Sequence, residues 1–116
     1  MAEPDNVLTK IHDLLLSSIP QLAKMPRDQK YLPGDRLETK MLEVLEHALR
    51  ASCRKDKHPH LLEANMALEI IRHLVRLASG LRNLSPKAYE VISQRVDEIG
   101  RMIGGWLKQK TARLSR

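Results

Sequence analysis

Phenylalanine is absent from this 116-residue chain, and the remaining aromatics are Tyr31, Tyr89 and Trp106. With so few rings, none of them interleaved with basic residues, recognition of single strands by base stacking is not expected. Cysteine occurs once, at Cys53. One thiol cannot staple a fold, and this usage fits a reducing compartment. β-Branched runs bounded by turn residues are missing, so no sheet is expected. Without strands there is also no strand-to-helix glycine loop for a phosphate. No stretch approaches the length of a membrane span, and Asp5, Lys10 and Asp13 interrupt the first apolar run. No signal-peptide pattern opens the chain, and a cytoplasmic protein without membrane contact is the expectation.

What the chain does contain is Leu, Ile, Val, Met and Ala at helical spacing. The clearest stretch is Leu84 to Lys110. Ser85 can cap the first free N–H groups of a helix, and Pro86 fits the first turn, where its missing N–H costs nothing. Tyr89, Ile92, Val96, Ile99, Ile103 and Trp106 then alternate in steps of three and four, the near-heptad seam of a bundle. Gly100, Gly104 and Gly105 lie beside that seam. Each costs roughly 1 kcal/mol relative to Ala inside a helix. Their clustering indicates close approach of another backbone or a bend, with fraying near a C-terminus as the alternative.

Three further helices precede it. The first spans about residues 5–24, with an apolar face of Val7, Leu8, Ile11, Leu14, Leu15, Ser18, Ile19 and Leu22. Pro20 should kink it while leaving Leu22 in register. A polar loop from Arg27 to Pro33 leads to Asp35, which can form a capping box with Glu38. The second helix spans about 36–55, its stripe formed by Leu37, Met41, Val44, Leu45, Ala48 and Leu49. The third, about 60–82, is apolar around a wider arc than a surface helix needs, so it packs on more than one neighbour or meets another subunit. Gly80 and Asn83 end it, and the fourth helix covers about 86–110, followed by a basic tail at 111–116. Short connections make successive helices antiparallel. The expected fold is all-α: one domain, residues 1–116, an up-down-up-down antiparallel four-helix bundle.

The net charge is +6 and uneven: residues 1–58 carry ten Lys/Arg against nine Asp/Glu, residues 59–116 ten against five. A basic half points to phosphate, acidic lipid or an acidic protein surface. Arg72 and Arg76 lie one turn apart on the third helix and could clamp a phosphate or carboxylate. The alternative is pairing with Glu69 and the acids of the fourth helix. Glu69 is the one acid of their own helix within a turn of them, which favours the clamp. Arg95, Arg101, Lys108, Lys110, Arg113 and Arg116 continue a basic stripe into the tail. Such a stripe suits backbone-led, salt-sensitive binding. Glu43 with His47 and Glu69 with His73 are i, i+4 pairs, but bundle di-metal sites use Glu-x-x-His with further buried acids. No metal, cofactor or catalytic set is expected.

Three runs carry a family resemblance: MPRDQKYLPGDRLETKMLEVLEHALRA, MALEIIRHLVRLASGL and LSPKAYEVISQRVDEIGRMIGGWLK. Together, over about Ile19 to Lys108, they resemble the accessory variability determinant (Avd) proteins of diversity-generating retroelements. These belong to a wider four-helix-bundle group that includes proteins encoded in 23S ribosomal RNA intervening sequences. EIGRMIGGW is the most specific part; Met25 and Gln29-Lys30-Tyr31 depart from the pattern and leave the loop's details open.

The resemblance implies a non-catalytic bundle that assembles as a pentameric barrel. It implies partners too: the retroelement's reverse transcriptase and its template RNA or cDNA, in mutagenic reverse transcription. Arg72, Arg76 and Arg101 match basic positions of the family pattern; the tail from Lys110 onward is too variable to carry over. Gly100, Gly104 and Trp106, with the wide apolar arc of the third helix, are assigned to subunit packing. Two other readings stay open at this point: a ribosomal-RNA-associated bundle without a polymerase partner, and a helical adaptor for an acidic protein.

Overall fold

The structure is a computed structural model in which residues 4–25 and 30–114 are described. Among them there are four α-helices and no strands: α1 (Pro4–Ala23), α2 (Arg36–Cys53), α3 (His58–Gly80) and α4 (Pro86–Leu114). A π-helical turn, Lys30–Asp35, leads into α2. The molecule measures 52 × 20 × 20 Å, so the helices run along one long axis. Each packs on two neighbours: α1 on α2 and α4, α3 on α2 and α4. This is a ring of four around one core, and the short connections reverse the chain direction at each step.

The core follows the seams. Ile11 and Leu14 from α1, Leu37 and Met41 from α2, Leu61, Leu68 and Ile71 from α3, and Ile92, Ile99 and Ile103 from α4 are fully buried. Trp106 closes the core at one end, 5% exposed. Above its ring sits the Lys57 ammonium, 5.8 Å from the centroid. The same ammonium donates to the Ala51 and Arg54 carbonyls (2.9 and 3.0 Å). One cation thus satisfies open carbonyls at the C-terminal end of α2 and fastens the α2–α3 connection to α4.

The helix ends confirm some expectations and correct others. The Ser85 hydroxyl accepts the Ala88 N–H (3.1 Å), so α4 starts as expected. Asp35 makes no side-chain cap: it is itself right-handed helical (φ −65°, ψ −34°). The chain enters α2 already coiled from the π turn, so no free N–H groups await a capping box there. The end of α3 is set two residues past Gly80. Arg82 adopts φ +61°, its N–H donating to the Ser79 carbonyl (3.0 Å) and that of Asn83 to the Ala78 carbonyl (2.8 Å). This is a Schellman closure with arginine in the left-handed position that glycine usually holds.

α4 continues to Leu114 through residues expected to form a tail. No breaker follows Gly105, and Lys108, Lys110 and Arg113 suit the negative end of the helix dipole. Of the expected Arg27–Pro33 loop, residues 27–29 lie outside the described residues, as do the last two residues of the chain, and the remainder is coiled into the π-helical turn rather than a loop.

Pro20 stands inside α1, and Leu22 beyond it is buried as expected. Leu49, expected in the buried stripe of α2, is instead 49% exposed, and Ile19 of α1 is exposed as well. Ser18, read as part of the apolar face of α1, is fully buried, and its hydroxyl has no partner among the described residues.

Candidate nucleic-acid and partner interface

Two surfaces of α3 lie outside the core. The first faces α4. Arg72 reaches across to α4, where its Nε donates to Asp97 Oδ1 (3.3 Å), and its Nη1 pairs with Glu69 of its own helix. The guanidinium lies against Gly100: a Cβ at that position would stand 2.6 Å from Arg72 Nη2. Gly100 is therefore a notch for a side chain of the same subunit. The sequence alternative, pairing with Glu69 and an acid of α4, is the arrangement Arg72 takes.

Arg76 behaves differently. It is exposed, one turn along α3, with no ion-pair partner among the described residues. It lines the same cleft, a hollow of about 350 Å³ between α3 and α4 that Arg72 and Asp97 close on one side. Tyr89, Ser93 and Val96 of α4 form the opposite wall, and Val75 contributes an apolar patch.

The basic residues of α4 divide between its faces. Arg101 lies one turn past Asp97, and Lys108 two turns further; both are exposed on the outer surface. Residues two apart on a helix differ by about 200°. Arg95 is therefore nearly opposite Asp97, on the flank where Glu98 pairs with Lys10 of α1 (3.1 Å). It is half-buried, and its Nε has no partner. Arg95 does not share a surface with Arg72 and Arg76, although Arg101 and Lys108 do. Lys110 and Arg113 ride on the last turns of α4, and their side chains lie outside the described residues.

The second surface is the outward stripe of α3: Leu62, Met66, Ile70, His73, Leu77 and Leu81, spaced by four, four, three, four and four. Leu62, Met66, Leu77 and Leu81 are 48%, 59%, 53% and 51% exposed. These residues form a regular apolar seam on the side of α3 away from the core. Of the residues assigned to subunit packing, Gly104 opens onto free space, while Gly100 and Trp106 are engaged within the subunit.

In both i, i+4 acid–histidine pairs the acid is engaged by a cation of its own helix. Glu43 pairs with Lys40 (2.9 Å) and Glu69 with Arg72. Among the described residues no three of His, Cys, Asp and Glu are grouped so that they could hold a metal ion. Among the described residues no helix is long and apolar enough to cross a membrane. Sequence reading did not single out Asp97 or Lys57. Asp97 was open to discovery from its spacing, since Asp97 and Gly100 lie one turn apart on the flank of α4 beside its seam.

A family model described as bAvd-like matches residues 7–110, nearly the whole bundle. The chain belongs to the bAvd-like family. No curated protein matches it. Avd-like proteins form a non-catalytic accessory family associated with diversity-generating retroelements. The bAvd-like match takes in Arg72, Arg76, Arg95, Arg101 and Lys108, with both walls of the cleft and the outward stripe of α3.

Proposed function

We propose that this protein is the accessory subunit of a diversity-generating retroelement. In this reading it holds the reverse transcriptase and the template RNA or its cDNA together and carries out no chemistry itself. The observation that carries the reading is the bAvd-like match across residues 7–110. The geometry supports it in two ways. Arg76, Arg101 and Lys108 stand open on the α3–α4 surface, where they can meet phosphates without reading base sequence. The outward stripe of α3 offers apolar surface to a second subunit, in keeping with a multisubunit barrel, a pentamer in the family pattern.

A nuclease-treated pull-down tests the role. Tagged protein co-expressed with the retroelement reverse transcriptase of the same source should retain the polymerase in stoichiometric amount after nuclease. Loss of the polymerase, with RNA alone retained in untreated samples, would reject direct contact and turn the reading toward an RNA-associated bundle.

A further inference from the structure

The α3–α4 surface carries two arginines one turn apart, and their availability differs. Arg72 has two carboxylates, one from each helix, and lies in the only space that a side chain at position 100 would need. Arg76 has no such partner and is exposed at the rim of the cleft. We infer that Asp97 and Gly100 withhold Arg72 from nucleic acid, leaving Arg76 as the guanidinium that this cleft presents to a phosphate. The inference rests on the nucleic-acid reading above and states which of its cations act.

The physical argument is competition. A phosphate approaching Arg72 meets Glu69 and Asp97, two like charges already held at the guanidinium. Their repulsion falls only if the ion pairs open. Glu69 and Asp97 line the same cleft, but among the described residues neither is ion-paired to Arg76, and Tyr89 and Ser93 form the facing wall. Gly100 matters because it permits the seat. With a methyl group there, Nη2 must move, and the alignment of Nε on Asp97 moves with it. Asp97 holds Arg72 by charge and Gly100 by shape, so the two can be removed independently.

The test is the salt dependence of binding to a single-stranded oligouridine RNA, read by fluorescence anisotropy, with circular dichroism confirming helix content. Each phosphate neutralised on a single strand contributes about 0.7 to the slope of log affinity against log salt. Arg76→Ala should flatten the slope by about that amount, and Arg72→Ala should leave it unchanged. Asp97→Asn should steepen it by up to about 0.7, and Gly100→Ala, which alters no charge, should shift it the same way. The double variant Asp97→Asn with Arg72→Ala should return to the wild-type slope.

An Arg72→Ala slope as flat as that of Arg76→Ala would overturn the inference. So would steepening by Asp97→Asn that survives the loss of Arg72, since the effect would then be one of general charge. Wild-type protein without affinity, alongside binding by the Asp97 and Gly100 variants, would uphold withholding and strike down the functional reading. Failure of all of them to bind would overturn both.

Discussion

The two sides of α3 that turn away from the core differ in what they have left to offer. Toward α4, Arg72 is closed into ion pairs with Glu69 and Asp97 and seated on Gly100. On the outward side, Leu62, Met66, Leu77 and Leu81 run the length of the helix without a partner. Charge suggests a binding surface and an apolar stripe suggests a core, but here part of the charge is neutralised within the subunit and the stripe is the open surface. The lesson is that availability, rather than residue type, separates a structural residue from one that meets a partner.

The sharpest contrast is within one helix. Ile71 is fully buried and Leu77 is 53% exposed. Ile71→Ala should cost about 2–4 kcal/mol in urea unfolding, because it removes packing and leaves a cavity. Leu77→Ala should change the subunit's stability by no more than about 0.5 kcal/mol. Both variants are read at low protein concentration, so that any self-association does not enter the comparison. A cost at Leu77 comparable to that at Ile71 would show that the stripe is packed within the subunit.

A smaller contrast lies on α4, where Gly100 and Gly104 are one turn apart. A Cβ at Gly104 meets nothing within 4 Å. Gly104→Ala should therefore gain about 1 kcal/mol from helix propensity, measured by thermal unfolding at low protein concentration. Gly100→Ala carries the same propensity gain but must displace Arg72, so it should gain less. Equal gains would mean that the Arg72 seat contributes nothing to stability.

Much of this fold was legible from spacing alone. The α4 seam from Ile92 to Trp106 is buried where the three-and-four period placed it, and Ser85 caps where its position before Pro86 indicated. The helix ends were harder, because they depend on backbone angles that composition only biases. Glycine 80 looked like the stop, yet Arg82 takes the left-handed turn. Asp35 looked like a cap, yet the chain reaches it already helical. Leu49 shows a different limit: a stripe's edge is buried or exposed according to how neighbouring helices cross, which one helix's period does not contain. For the candidate site, sequence grouped Arg72 with Arg76 and set Arg95 in one stripe with Arg101 and Lys108. The partner that separates Arg72 is Asp97, 25 residues away, and only the register between α3 and α4 brings the two together.

The proposed assembly puts the contact between subunits on the outward stripe of α3 and leaves the α3–α4 flank open. Light scattering coupled to size-exclusion chromatography tests it most directly, on the wild-type protein and on a Met66→Glu, Leu77→Glu variant. The expected result is a wild-type oligomer and a folded monomer for the variant, with helix content unchanged by circular dichroism. A wild-type monomer, or a variant that keeps the wild-type mass, would contradict it.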